Sequence, residues 1–133
     1  MTSVDQVSVV QQIYDAFARG DVPAVVAAFD PQIEWREAEG FLYADGNPYV
    51  GPQAVLEGVF GRLATDWENF TVTPQRFVQT GEGVLSTGRY SGTHRRTGRR
   101  VDAQFAHIWR LEDGRVRAFQ QFTDTAQFSA AAE

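Results

Sequence analysis

Apolar residues recur at helical spacing in two stretches near the start of the sequence. The first stretch has them at Val7, Val10, Ile13, Tyr14 and Phe17, and the second at Val22, Val25, Val26 and Phe29. Each pattern predicts a helix with one buried face. Ser3 and Gln6 have the spacing of a capping box at the start of the first helix, and Gly20 suits its end. Asp21 can cap the second helix, which Asp30-Pro31 is expected to end.

The rest of the sequence predicts a strand, a third helix and a run of further strands. The first strand covers Gln32–Ala38, and an irregular segment rich in aromatic residues follows from Glu39 to Gly51. Pro52 suits the first turn of a helix whose apolar residues are Val55, Leu56, Val59, Phe60 and Leu63. Further strands are predicted at Phe70–Gln79, Val84–His94, Arg100–Leu111 and Arg115–Asp124. Three helices followed by an antiparallel sheet predict an α+β fold in one domain, residues 1–133.

The hairpin between the last long strands separates polar from apolar side chains. A two-residue turn at Thr97-Gly98 would place Arg89 opposite Ala106, and opposed residues share a face. One face then carries Leu85, Thr87, Arg89, Ser91, Asp102, Gln104, Ala106 and Ile108. The other face carries Val84, Ser86, Tyr90, Val101, Ala103, Phe105, His107, Trp109 and Leu111.

Two arrangements fit these faces. In the first, the apolar face packs on the helices and the polar face meets water, which the pattern alone favours. In the second, the helices cover a cavity lined by the polar face, and the aromatic face packs against a second subunit.

The composition excludes several kinds of chemistry. The 133 residues, 43% hydrophobic and 22% charged, suit one globular domain. With no Cys and no Lys, the sequence has neither thiol chemistry nor a lysine Schiff base. Two His without metal-binding spacing predict no metal, and the lack of nucleotide-binding motifs predicts no cofactor. The net charge of −5 argues against nucleic acid and membranes as partners, and a cytoplasmic location is expected.

Four groups of residues, spread over nearly the whole sequence, carry a family resemblance. They are Tyr14-Asp15-Ala16-Phe17 with Gly20-Asp21, Phe29-Asp30-Pro31 with Ile33-Glu34-Trp35, His107-Ile108-Trp109-Arg110 with Asp113-Gly114-Arg115-Val116, and Phe119-Gln120-Gln121-Phe122-Thr123-Asp124. This pattern resembles the nuclear transport factor 2-like superfamily, which includes ketosteroid isomerases and SnoaL-like polyketide cyclases. The resemblance implies a cystatin-like cone, in which three N-terminal helices pack on a strongly curved antiparallel sheet around a cavity.

The resemblance also implies homodimers through the outer face of the sheet. It therefore favours the second arrangement of the hairpin, with Tyr90, Phe105 and Trp109 at a dimer interface. In that arrangement His107 is an interface or satisfied-core histidine. If the faces are inverted, His107 becomes the leading acid/base candidate.

The known catalytic sets of the superfamily match this sequence only in part. Glu37 matches the position of the isomerase base, but Ala106 and Ile13 stand where the isomerase has its two oxyanion donors. Arg89 matches the arginine of the limonene epoxide hydrolases, whereas Ser91 and Gln121 occupy the positions of their two acids.

The expected site is built around Glu37 as a general base. Trp35 and Phe60 would desolvate it and raise its pKa. Tyr14 is either a core residue or a hydrogen-bond donor to the ligand. Asp102 either forms an ordinary cross-strand ion pair with Arg89, which the pattern slightly favours, or orients Arg89 in the site or acts as a second acid. The expected substrate-binding residues are Trp35, Tyr49, Phe60, Arg89, Gln104, Ile108, Phe119 and Gln121. Asp124 is expected to fix the end of the last strand by hydrogen bonds.

Three functions follow from this site. The first is cofactor-independent proton transfer (isomerisation, cyclisation or dehydration) on a hydrophobic carbonyl compound, with Tyr14, Arg89 or Gln104 stabilising the enolate. The second is a dimeric cavity protein that binds a hydrophobic metabolite without converting it. The third is epoxide hydrolysis with an altered residue set that includes Arg89.

Overall fold

A computed structural model describes residues 5–133. Helix α1 spans Gln6–Ala18, and its N-cap is Asp5, whose side chain accepts a hydrogen bond from Ser8 N at 3.3 Å. The predicted capping residue Ser3 lies outside the described residues. The buried face of α1 consists of Val10, Ile13, Tyr14 and Ala16. None of the helices in the described range has the length and hydrophobicity needed to cross a bilayer.

The second helix is shorter than the sequence predicts. Helix α2 spans Val22–Ala27, with Asp21 as its N-cap, and strand β1 covers Phe29–Arg36. The prediction that Asp30-Pro31 ends a helix is wrong, since Phe29 already pairs with Val116 in the sheet. Pro31 is tolerated in the strand because it lies where the register with the neighbouring strand shifts.

The segment after β1 is ordered by side-chain hydrogen bonds. It contains a 3₁₀ turn at Ala44–Gly46 and a short strand β2 at Tyr49–Val50, neither of which the sequence predicted. Tyr49 donates to the Tyr43 carbonyl at 2.6 Å, and its ring packs directly against Gly46 and Gly58. A side chain larger than hydrogen at either glycine would overlap this ring.

The predicted third helix is present but is interrupted by a π-helical segment. Helix α3 spans Pro52–Val55, the π-helical segment spans Leu56–Phe60, and helix α4 spans Gly61–Asp66. The buried residues are Val55, Val59 and Phe60, all from the predicted apolar stripe. A π-helical segment often accompanies a functional site, and this one contributes Val59 and Phe60 to a cavity.

Six strands form one sheet in the order β2-β1-β6-β5-β4-β3. The four long strands are β3 (Trp67–Gln79), β4 (Gly83–His94), β5 (Arg100–Glu112) and β6 (Arg115–Thr123). The sheet is mixed rather than fully antiparallel, because β1 runs parallel to β6. This parallel pair places the end of β1 beside β6, where Arg36 lies opposite Gln120.

The last element is a C-terminal helix that the sequence did not predict. Helix α5 spans Thr125–Ala132, and Asp124 caps it by accepting a hydrogen bond from Gln127 N at 3.3 Å. Asp124 directly follows β6, and its side-chain hydrogen bonds go to Gln127 of α5. Phe128 of this helix is fully buried, with ring contacts to Phe41, Trp67, Phe70 and Tyr90.

The β4–β5 hairpin differs from the predicted register by two residues. Arg89 lies opposite Gln104 rather than Ala106. The turn is longer than two residues, since His94 N donates to the Arg99 carbonyl at 2.8 Å and Gly98 adopts a φ of 72°. A shift of two residues leaves every side chain on its predicted face, because side chains alternate with a period of two.

The direction of the two faces agrees with the first arrangement. The aromatic face of the hairpin is buried under the helices, with Tyr90, Phe105 and Trp109 each at most 5% exposed. The second arrangement, in which these three residues form a dimer interface, is therefore wrong. The predicted cavity is present, but it lies on the aromatic side of the sheet.

Candidate active site

A small cavity lies between the helices and the aromatic face of the sheet. Its volume is about 60 Å³, enough for a few water-sized molecules. The wall is mainly apolar and aromatic, and includes Trp35, Phe60, Trp109 and Phe119. Its polar groups come from Tyr14, Glu37, Tyr90, His107 and Gln121.

Glu37 is the acidic residue that lines this cavity. It directly follows β1, and Asn47 holds its backbone from both sides: Glu37 N donates to Asn47 Oδ1 at 2.9 Å, and Asn47 Nδ2 donates to the Glu37 carbonyl at 2.8 Å. The residue is 3% exposed. Trp35 Nε1 donates to Glu37 Oε2 at 3.2 Å, which fixes the carboxyl group beside the aromatic wall.

Burial determines the protonation of Glu37. Desolvation raises the pKa of the Glu37 carboxyl to about 8, although the hydrogen bond from Trp35 and the charge of Arg62 act in the opposite direction. A carboxyl group with this pKa is mostly protonated at pH 7 and exchanges its proton near physiological pH. Acid/base catalysts are effective in this pKa range.

A continuous set of buried hydrogen bonds crosses the cavity wall next to Glu37; we call it the buried network. It links Tyr90 Oη to His107 Nε2 (2.5 Å), His107 Nδ1 to Tyr14 Oη (2.6 Å) and Tyr14 Oη to Ser86 Oγ (2.5 Å). Gln121 donates to Tyr90 Oη at one end, and Trp109 Nε1 donates to Ser86 and Tyr14 at the other.

The same burial keeps the members of the network neutral. Desolvation lowers the pKa of His107 to about 3, so its ring is uncharged at neutral pH. Desolvation also raises the pKa values of Tyr14 and Tyr90. His107 thus lines the cavity, which is the case in which the sequence made it the leading acid/base candidate, and its two ring nitrogens connect two tyrosine hydroxyls.

Six of the predicted site residues lie together in the cavity: Tyr14, Trp35, Glu37, Phe60, Phe119 and Gln121. Trp35 lies on the same side as Glu37, as the alternation along β1 predicted, and Phe60 lines the same cavity. Glu34 points to the opposite side, where it pairs with Arg36 and Arg117. The roles assigned to these residues remain predictions.

Four predicted site residues lie on the opposite, outer face of the sheet. Arg89 and Asp102 form a solvent-exposed ion pair with 2.9 Å between Nε and Oδ1, their side chains 45% and 71% exposed. Gln104 lies opposite Arg89 on the same face, and Ile108 is 46% exposed. Their assignment to the cavity is wrong, because the polar face of the hairpin faces outwards.

Tyr49 also lies outside the cavity. Its hydroxyl bonds to the Tyr43 carbonyl and its ring packs on Gly46 and Gly58. The residue stabilises the aromatic segment after β1 instead of contacting a ligand in the cavity.

Sequence reasoning missed the polar residues that the aromatic face contributes. Tyr90 and Ser86 were placed on that face but received no role in the site, and His107 received one only if the faces were inverted. The signal was available: a serine, a tyrosine and a histidine alternate with apolar residues on an otherwise apolar face. Buried polar side chains need hydrogen-bond partners, so such residues are expected to bond to one another.

The family assignment follows from comparisons with known proteins. The SnoaL-like domain model matches residues 10–119, which is most of the sequence. The chain belongs to the SnoaL-like family.

Solved structures agree with the SnoaL-like assignment. A nuclear transport factor 2-like protein from Burkholderia thailandensis is 35% identical, with a TM-score of 0.93 over 98% of this chain and 99% of that chain. TerC, co-crystallised with polyporic acid, is 23% identical with a TM-score of 0.85 (96% and 97% covered). A Xanthomonas campestris protein of unknown function with a cystatin-like fold is 18% identical with a TM-score of 0.84 (97% and 98% covered). None of the curated proteins matches the chain.

Metal-binding clusters are absent from the part of this SnoaL-like protein that the structure describes. In residues 5–133, no three His, Asp or Glu side chains are arranged so that they could hold a metal ion.

Proposed function

We propose that this protein catalyses cofactor-independent proton transfer on a hydrophobic carbonyl compound. The observation that carries the proposal is the Glu37 carboxyl group, buried in an aromatic cavity with its pKa raised to about 8. A surface carboxylate is a weak base at neutral pH. Burial makes Glu37 a stronger base and, in its protonated form, a proton donor near pH 7.

The reaction begins with the ionised carboxylate, which is about one in ten molecules at pH 7 for a pKa of about 8. Glu37 takes a proton from the carbon next to the substrate carbonyl, and the bonding electrons move to the carbonyl oxygen as an enolate. The protonated Glu37 then returns the proton to another carbon. Return of the proton to another carbon completes an isomerisation. In a dehydration the enolate expels a β-hydroxyl group, which takes the proton from Glu37 and leaves as water, and in a cyclisation the enolate carbon attacks a second carbonyl group, whose oxygen takes the proton.

The shape of the cavity limits the substrate. Aromatic rings line it, and its volume of about 60 Å³ accommodates only a small molecule or one reactive end of a larger one. The fold relative TerC was co-crystallised with polyporic acid, which supports a small organic ligand for this cavity as well.

Exchange of hydrogen for deuterium tests this function before the natural substrate is known. A panel of cyclic and aryl ketones is incubated with the protein in D₂O, and proton NMR follows loss of the α-hydrogen signals. Exchange of at least one ketone well above the buffer rate supports the proposal. Exchange of every ketone at the buffer rate contradicts it.

A second function, ligand binding without conversion, is favoured by a different observation. The polar groups of Tyr14, Tyr90, His107 and Gln121 are all hydrogen-bonded within the protein, as in a cavity that only binds. Recovery of a bound ketone that retains all its α-hydrogens after long incubation would support this function over catalysis.

Epoxide hydrolysis through Arg89 has no support in the structure. Arg89 lies on the outer face in an exposed pair with Asp102. It therefore cannot contact a substrate in the Glu37 cavity.

Dimerisation through the outer face of the sheet remains a proposal, but its interface residues are not the predicted Tyr90, Phe105 and Trp109. The outer face of the sheet exposes Ile108 (46%) and Phe122 (50%), which lie opposite Leu85 and Ala106 in the neighbouring strands. A second copy of the chain would bury this apolar surface. We expect sedimentation at micromolar concentration to show a dimer and Ile108→Asp with Phe122→Asp to show a monomer. A monomeric wild-type protein would contradict the proposal.

A further inference from the structure

The hydrogen atoms of the buried network can be counted. The hydroxyls of Tyr90, Tyr14 and Ser86 each bring one hydrogen, and the neutral ring of His107 brings one more. The network has three links, from Tyr90 to His107, from His107 to Tyr14 and from Tyr14 to Ser86. Each link holds one hydrogen, so one of the four hydrogens is left over.

Three arrangements fill all three links. In one of them the His107 hydrogen is on Nδ1 and the Tyr14 hydrogen is left over, so that Tyr14 Oη would accept from His107 Nδ1, Ser86 Oγ and Trp109 Nε1 together; this exceeds the two lone pairs of a hydroxyl oxygen, and two arrangements remain. If the His107 hydrogen is on Nδ1, each hydrogen points towards Ser86, and the Ser86 hydroxyl hydrogen is left over. If the His107 hydrogen is on Nε2, each hydrogen points towards Tyr90, and the Tyr90 hydroxyl hydrogen is left over. Any other arrangement places two lone pairs or two hydrogens in one link, which is unfavourable in a buried site.

The surroundings of the two ends distinguish these arrangements. Ser86 is fully buried, and among the described residues its Oγ has hydrogen bonds only with Tyr14 and with the donor Trp109 Nε1. A hydrogen left over there would have no acceptor, which is costly in a buried site. Tyr90 instead lines the cavity, where a ligand or water can accept its hydrogen.

Gln121 donates a hydrogen bond to Tyr90 and therefore cannot accept the Tyr90 hydroxyl hydrogen. Its Oε1 accepts a hydrogen bond from Ala38 N at 3.1 Å, so its amide nitrogen faces Tyr90 Oη at 3.0 Å and donates to it. With His107 Nε2 donating as well, the Tyr90 oxygen accepts two hydrogen bonds. Its own hydrogen is then free to leave the network.

We infer that the buried network fixes the Nε2–H tautomer of His107 and thereby directs the Tyr90 hydroxyl hydrogen into the Glu37 cavity. Tyr90 is the residue that contacts the ligand, while His107, Tyr14 and Ser86 are positioning residues. The ligand presents a hydrogen-bond acceptor such as a carbonyl oxygen to Tyr90. This inference rests on the proposed function for the identity of the ligand, but not for the tautomer.

Nitrogen-15 NMR of the histidine rings tests the tautomer directly. The chain contains two histidines, and His94 serves as an internal reference because its Nδ1 accepts a hydrogen bond from Arg96 N at 3.2 Å. We expect His107 to show a protonated Nε2 and an unprotonated Nδ1 in the ligand-free protein at pH 7. A protonated Nδ1, or shifts averaged between the two tautomers, would overturn the inference whatever the activity of the protein.

Binding of two isosteric probes tests the direction of the Tyr90 hydrogen. Cyclopentanone carries an acceptor oxygen where methylenecyclopentane carries a CH₂ group, and both are titrated against the indole signals of the wild-type protein. We expect the wild-type protein to prefer the ketone, and Tyr90→Phe to reduce this preference by roughly fivefold to tenfold, as for one lost hydrogen bond. An unchanged preference in Tyr90→Phe would overturn the inference.

Tyr43→Phe is the matched control for these titrations. Tyr43 is equally buried, but its hydroxyl donates to Asp66 at 2.7 Å outside the cavity, so the ketone preference should stay at the wild-type value. Neither probe experiment requires turnover. A protein with the expected tautomer and probe preference but without ketone exchange would retain this inference and lose the proposed function.

Discussion

Replacing Glu37 with Gln is expected to slow ketone α-hydrogen exchange by about 100-fold or more, because a positioned general base contributes at least that factor. Gln has nearly the shape of Glu, and its oxygen can still accept the hydrogen bond from Trp35 Nε1. It has no carboxylate and cannot take a proton. The wild-type exchange rate should rise about tenfold per pH unit below pH 8 and level off above it, since the ionised form of a group with a pKa of about 8 is the base.

Glu39→Gln is the control for this substitution. Glu39 lies two residues further along the chain with its side chain exposed to solvent, so the variant makes the same Glu-to-Gln replacement without altering the cavity. It should exchange ketones at the wild-type rate. If both substitutions slowed ketone exchange equally, the cause would be the general loss of an acidic side chain. An unchanged exchange rate in Glu37→Gln would show that Glu37 is not the base.

The same substitution should also change how stability depends on pH. In the unfolded chain the Glu37 carboxyl loses its proton near pH 4.5, whereas burial holds its pKa at about 8 in the folded protein. The folded state thus retains a proton that the unfolded state has already released. The stabilising contribution of Glu37 to the free energy of unfolding is therefore fully present below pH 4.5, and it is lost as the pH rises to about 8.

The expected change is large for a single residue. Across that interval the free energy of unfolding of the wild-type protein should fall by on the order of 4 kcal/mol relative to Glu37→Gln. Urea unfolding of both proteins from pH 4.5 to 9 measures this difference. A constant difference between them over the whole range would show that the Glu37 pKa is the same in the folded and unfolded states.

Local patterns in the sequence were enough to predict most of the elements. Helical spacing located α1 and the helical segment from Pro52 to Asp66, and the alternation along β1 placed Trp35 and Glu37 on one face. The second helix was predicted too long because the apolar periodicity continues through Phe29, which instead pairs with Val116. Strand β2 and helix α5 carry too few periodic residues to be recognised. Pairing with β1 holds β2 in place, and the ring contacts of Phe128 hold α5.

The direction of the hairpin faces was the main error in the site. The alternation of polar and apolar residues favoured burial of the aromatic face, and the structure agrees with that pattern. The family resemblance instead implied a cavity on the polar face, and the site prediction followed the resemblance rather than the pattern. Arg89 and Asp102 were thereby placed inside and Tyr90 outside. The cavity is in fact lined by aromatic residues, so its polar groups are the few that a mainly apolar face includes.

The position of Glu37 could be predicted, but its environment could not. The strand pattern gave its neighbour Trp35, while the two hydrogen bonds from Asn47 to its backbone come from the irregular segment after β1. The buried network also joins residues far apart in sequence, such as Tyr14 and His107. Pairings of this kind depend on the register of whole strands and on the packing of a helix over them, which local periodicity does not determine.

A carbon-13 NMR titration of the Glu37 carboxyl group, assigned with Glu37→Gln, tests the central claim most directly. The structure predicts a titration midpoint near pH 8, because the carboxyl is buried beside Trp35 in an aromatic cavity. Such a midpoint would identify a group that can take and return protons at neutral pH. A midpoint near pH 4.5 would show a solvated carboxylate and would contradict the proposed proton-transfer function.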